Sequence, residues 1–124
     1  MEVKIDTKEK FHRIHVITTD ISANMAGELR SVLTKPLQAA IKNVILDMGS
    51  VTRISPEAAE EIVRIQQEFY EKEASFVICC LTAPVEQFLE EASLLEMMNV
   101  TPTESEAMDI IHMEEIEREL LGDE

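Results

Sequence analysis

The sequence predicts an α/β fold: a four- to five-stranded mixed, mainly parallel sheet packed by about four helices. Three observations carry this. Asn43–Met48 (NVILDM) and Ser75–Leu81 (SFVICCL) are short, apolar, β-branched-rich runs of the kind that fill central strands. Segments with apolar residues every three to four positions alternate with them, as helices do. Only 3 Gly and 4 Pro occur in 124 residues, too few for the tight turns of an all-β protein. The predicted order is β-β-α-β-α-β-α-β-α in one domain, residues 1–124, without repeats, low-complexity tracts or linkers.

Each element has a local signal. Val3 and Ile5 alternate with polar residues, and Ile14 and Val16 give a second stretch one apolar face, with Phe11 and Ile17 on the other; together they predict a hairpin across the polar turn at 7–10. Thr18–Ser22 reads as a polar break, with Ser22 capping a helix that begins near Ala23. Met25, Leu29, Val32 and Leu33 share that helix's inner face, and Pro36 ends it. After the strand at 43–48, Ser55-Pro56-Glu57 is a strong helix start: an N-cap serine, proline at the first helical position and an acid beside it. Ala59, Ile62, Val63, Phe69 and Tyr70 mark its inner stripe. Thr82-Ala83-Pro84 opens a third helix, carrying Val85, Phe88, Leu89 and Ala92 inward. Leu94–Asn99 reads as a turn packed on the core, and residues 100–102 hold only a short strand. Thr103 and Glu106 form a capping-box pair before a last helix with Ala107, Ile110, Ile111, Ile116 and Leu120 as its apolar positions.

Charge narrows the function classes. The formal net charge is −14, but residues 1–50 carry 7 basic and 6 acidic side chains, whereas residues 51–124 carry 4 and 19. So acidic a second part repels phosphate backbones, which argues against nucleic-acid partners. No apolar run of about 18 residues is present, so no membrane insertion is expected. The first ten residues, MEVKIDTKEK, lack the apolar core of a secretory signal. Cys79 and Cys80 are adjacent, which suits free thiols in a reducing cytoplasm better than a disulfide framework.

Residues 43–75 resemble the STAS domain, the family shared by sulfate transporters and anti-sigma factor antagonists. The segment NVILDMGSVTRI, a helix start and then SFVICC carry the resemblance. ISANMAGEL at 21–29, APVEQFLEEASLLEM at 83–97 and VTPTESEAM at 100–108 extend it over nearly the whole chain. The resemblance implies a STAS-like fold and a protein-binding role. It also implies a site: family members carry Asp-Ser-Ser-Gly, or Asp-Ser/Thr-X-Gly, before the second helix, and a kinase phosphorylates the first hydroxyl residue. Here Ser55 stands at the Asp position, Pro56 at the acceptor position and Ala58 at the Gly position. Proline has no hydroxyl, so the usual phosphoswitch is not expected.

The residues themselves allow two readings of this departure. Ser-Pro-Glu is a good helix cap and needs no further role. Alternatively, Glu57 fixes a negative charge where relatives place a phosphate; one carboxylate is a weak copy of a group with about −1.5 to −2 charges and three acceptor oxygens. Phosphorylation of Ser55, one residue early, would sacrifice the cap. The expected partner-binding surface is Ser50, Thr52, Arg53, Ser55, Pro56, Glu57, Glu60 and Glu61, acting by contact without chemistry.

Other constellations are weaker. His12 and His15 point to opposite strand faces, and no H-x-x-x-H or C-x-x-C spacing occurs, so no metal is expected. Cys79 and Cys80 alternate across the sheet in this reading, as small apolar side chains. Asp47 ends a central strand, where parallel sheets line ligand sites, and Asp20 and Ser55 are candidates to meet it there; bonding to loop amides is its simpler role. No nucleophile–base pair and no phosphate-binding glycine loop is evident, so neither an enzyme nor a cofactor is expected. Met97 and Met98 read as core, or as a soft patch for a partner. The acidic run at 114–119 reads as a solvated helix face, or as a docking surface for a basic partner. The sequence thus describes a cytoplasmic protein-interaction module whose partner is an anti-sigma kinase-like, sensor-complex or transporter subunit. The alternative is a structural subunit of a lipid ABC-type transport assembly.

Overall fold

The computed structural model describes residues 1–122. Its centre is the strand β4 (Val44–Asp47), whose four residues are all buried. A strand buried on both faces needs cover on each, and the chain supplies it with helices. Around β4 run β2 (His12–Val16) and β6 (Phe76–Cys79), both parallel to it. β1 (Val3–Thr7) pairs antiparallel with β2 at one edge, and β7 (Val100–Thr101) pairs parallel with β6 at the other. The main sheet therefore has five strands in the order β1-β2-β4-β6-β7.

Alternation along the strands divides the core in two. Ile14, Val16, Val44, Leu46, Phe76 and Ile78 face α1 (Ala26–Thr34), α2 (Pro56–Glu71) and α3 (Ala83–Glu91). Phe11, Ile45, Val77 and Cys79 face the other way, onto Ala107 and Ile111 of α4 (Glu104–Gly122). The first layer is the larger. Phe69 of α2 lies against Phe76 of β6 with ring centroids 5.0 Å apart, an edge-tilted contact between two fully covered rings. Among the described residues, no helix is long and apolar enough to cross a membrane.

Several local expectations hold. The strands at 43–48 and 75–81, the helix opened by Ser55-Pro56 and the Pro84 helix are all present. The Thr103 hydroxyl accepts the Glu106 N–H at 3.2 Å and donates to the Glu106 carboxylate at 3.1 Å, so the predicted pair caps α4. Asp47 bonds a loop amide, as expected: Oδ1 accepts from Gly49 N at 2.8 Å.

Others are corrected. Residues 18–22 and 50–54 are not plain loops: β3 (Asp20–Ile21) and β5 (Arg53–Ile54) form a separate two-stranded parallel sheet. Two-residue strands carry too little periodicity to be read. Ser22 does not cap α1; its hydroxyl binds the Asn24 side chain, and the helix enters through a 3₁₀ turn at Ala23–Met25. Tyr70 is not inside: it is 83% exposed, while Ile65 is fully buried in its place. On α4 only Ala107 and Ile111 are buried; Ile116 and Leu120 are exposed, because the helical period turns them to the side opposite Ala107 and Ile111, while Arg118 on the inner side still reaches Ser75 at 3.1 Å. Met98 is buried and Met97 exposed, one from each reading of that turn.

Phe69→Ala should destabilise the fold by about 3–5 kcal/mol, the range for emptying a buried aromatic site. Urea unfolding of the variant measures it as a lower midpoint at unchanged slope.

Candidate functional site

The segment between β4 and α2 is held from both ends. Asp47, the last residue of β4, turns the chain by accepting the Gly49 N–H, and Val51 is buried beneath the loop. The Thr82 hydroxyl at the start of α3 donates to Val51 O at 2.7 Å. Thr52 N donates to Thr19 O at 2.8 Å and Ser55 N to Ile21 O at 2.9 Å, which seats the segment on β3. A loop so bonded presents a fixed surface.

At its end the Ser55 Oγ accepts the Ala58 N–H at 3.1 Å, so the hydroxyl is used as the α2 cap. Pro56 follows at the first helical position, and Ala58 is fully buried at the position where the family resemblance places Gly. Thr52, Arg53, Pro56, Glu57 and Glu60 are exposed around this helix start. Arg53 is on β5, in register with Asp20 of β3. The two remaining predicted residues have internal partners. Ser50 lies 3.0 Å from His15 Nε2. Glu61 is ion-paired to Arg30 of α1 and, at 2.7 Å, to Arg64 one turn along α2. Arg30 also reaches Glu68 at 2.7 Å, clamping α1 to α2. The hydrogen bonds from Arg64 and then Arg30 outweigh burial and hold the Glu61 carboxyl below the usual carboxylate range.

The carboxyl ends of the parallel strands form a second cluster. His15, Asp47, Cys79 and Thr101 occupy one register row across β2, β4, β6 and β7. Arg13 of β2 donates to Asp47 at 2.6 Å and is also paired to Glu104 at the start of α4, with Asp6 of β1 at 3.7 Å. Burial works against the Arg13 charge, but Glu104, Asp47 and Asp6 together outweigh it and raise its pKa. The expected meeting of Asp20, Asp47 and Ser55 does not occur: the first and last are on the small sheet and the α2 cap, while Asp47 serves Arg13 and Gly49.

Cys79 and Cys80 also depart from expectation. The strand ends at Cys79, and Cys80 has a left-handed φ of 65°, so simple alternation fails there. Both sulfurs and a carboxylate oxygen of Asp47 lie within 4.8 Å of one another. Burial, and then the neighbouring Cys80, push the Cys79 thiol pKa up. This row, with the His15–Ser50 pair, was invisible in the sequence because it depends on which strands become neighbours.

The sequence matches the STAS domain over residues 3–107, and the chain belongs to that family. No curated protein matches it. Solved structures share the fold at low identity. A candidate anti-sigma factor antagonist from Thermotoga maritima superposes with a TM-score of 0.78 at 17% identity, covering 89% of this chain and 94% of that one. An anti-sigma factor antagonist (STAS) domain protein from Planctomyces limnophilus gives 0.76 at 16%, covering 89% and 97%. A sulfate transporter family protein from Wolinella succinogenes gives 0.67 at 15%, covering 85% of each.

Two measurements check the geometry of this surface. Ser55→Ala should lower stability by about 1 kcal/mol through loss of the cap, read from urea unfolding. A carboxyl held low by folding adds stability above its unfolded pKa and loses it as pH falls through the folded value. Glu61→Gln should therefore lower the urea midpoint at pH 7, and the gap to the parent protein should close as pH drops below about 4.

Proposed function

We propose that this chain is a non-catalytic protein-interaction module of the anti-sigma factor antagonist type that works without the family's Ser/Thr phosphoswitch. One observation carries the reading: at the helix start where the family resemblance places the acceptor, Pro56 has no hydroxyl and the adjacent Ser55 Oγ is occupied as the cap. The contact surface is Ser50, Thr52, Arg53, Ser55, Pro56, Glu57, Glu60 and Glu61. Thr52, Arg53, Pro56, Glu57 and Glu60 form its accessible part. Ser50 and Glu61 support it from inside, through His15 and the Arg30 clamp. Glu57 and Glu60 give the start of α2 a standing negative charge, which favours a partner with basic groups opposite. The setting is cytoplasmic, in keeping with two unbonded thiols.

A second reading is a structural subunit of a lipid transport assembly. The likeness to a sulfate transporter family protein supports it. Affinity purification from the native host distinguishes the two: an ATPase partner favours the transport reading, a kinase or sensor partner the regulatory one.

The test of the missing switch is direct. Incubation with an anti-sigma kinase and ATP, followed by mass spectrometry of the 50–64 region, should give no phosphopeptide; stoichiometric phosphate there overturns the reading. Glu57→Lys combined with Glu60→Lys should weaken partner capture at least about tenfold if rim charge guides the contact, with the fold intact by circular dichroism.

A further inference from the structure

We propose that Asp47, Cys79 and Cys80 form a binding site for a thiophilic divalent cation of the zinc class. This inference does not depend on the interaction role above. The three donor atoms lie within 4.8 Å of one another at the carboxyl ends of β4 and β6. A tetrahedral centre with metal–sulfur bonds of about 2.3 Å spaces its donors about 3.8 Å apart, so closure asks for small side-chain rotations only. Consecutive residues on a strand point to opposite faces. Here the left-handed backbone at Cys80 ends that alternation and leaves both sulfurs on one site.

The surroundings hold the donors in place as a ligand set needs. Asp47 is already oriented: Arg13 donates to Oδ2 at 2.6 Å and Gly49 N to Oδ1 at 2.8 Å. Outer contacts of this kind are what fix the ligands of metal sites. An ionised carboxylate has about four acceptor positions, so two remain for a metal. Gly49 keeps the loop tight; a Cβ there would sit 3.1 Å from Asp47 Oδ1 and 3.5 Å from Cys80 Cβ. Cys79 is fully buried, while Cys80 is partly exposed and gives an ion its way in. Two thiolates select soft metals, and the carboxylate shifts the choice from Cu(I) towards zinc and cadmium. Three protein donors leave the fourth position of a tetrahedral ion to water.

Binding breaks two S–H bonds, forms two metal–sulfur bonds and releases two protons to solvent; Asp47 contributes as the carboxylate. No electron is transferred. The burial that disfavours a free Cys79 thiolate is offset when the cation arrives with it.

Titration of the reduced full-length chain with Cd²⁺ under inert atmosphere tests this through the ultraviolet sulfur-to-cadmium charge-transfer band. One equivalent should saturate the band, release protons in proportion and raise the melting temperature. Cys80→Ser should abolish the band, and Asp47→Asn should weaken binding at least about tenfold, with each fold checked by circular dichroism. Absence of the band, its survival in Cys80→Ser, or unchanged affinity in a folded Asp47→Asn overturns the site. If Asp47→Asn does not fold, the parent protein and Cys80→Ser decide the outcome.

Discussion

The structure depends on burying β4 on both faces. Each residue from Val44 to Asp47 lies below the surface, with Val44, Ile45 and Leu46 fully covered. That requires strands on either side, here parallel, and cover above and below, here supplied by helices. It also fixes where polar atoms must find partners, because a buried polar group left unbonded costs about 1–3 kcal/mol. Asn43 at the entrance accepts the Ser75 N–H at 2.8 Å and donates to Lys10 O at 3.1 Å, which ties the starts of β4, β6 and β2 together. Asp47 at the exit accepts from Arg13 of β2 and from the Gly49 amide, which joins β4 to β2 and to its own following loop.

The surface at the start of α2 follows from that exit. The chain leaves β4 through the Asp47–Gly49 turn, is pinned by Thr82 and by β3, and arrives at Ser55 with its backbone donors already committed. A helix N-terminus attracts anions through its free N–H groups and dipole. Here proline removes one donor and the Ser55 hydroxyl takes another. The position is therefore a structural joint with a charged rim. The rim is acidic, as is the rest of the second part of the chain.

The chain's charge has two structural fates. Glu61, Glu68 and Glu104 are paired with arginines and join elements to one another: α1 to α2, and α4 to β2. Glu57, Glu60 and most of the acids of α4 are exposed and unbalanced. Exposed pairs contribute little to stability, typically below about 1 kcal/mol. The Arg30 and Arg13 clusters join neighbouring elements: α1 to α2, and β2 to β4 and α4. Ile116, Leu120 and Leu121 of α4 are exposed and take no part in the core, whereas Arg118 of the same stretch bonds buried Ser75 at 3.1 Å.

Local sequence alone specifies the fold class, the buried strands at 43–48 and 75–81, the Ser55-Pro56 helix start and the Thr103–Glu106 cap. Each rests on contacts within a few residues, where hydrophobic period and capping chemistry are legible. Contacts between distant segments settle that Arg30 clamps Glu61 and Glu68, that residues 20–21 and 53–54 pair, and that Tyr70 and Leu120 stay outside. The register row His15, Asp47, Cys79 and Thr101 is of the same kind. The paired residues in these features lie about 20 to 40 positions apart in the chain. The period of a strand says which residues share a face, but it does not say which strand lies beside it, and that neighbour brought two cysteines and an aspartate together.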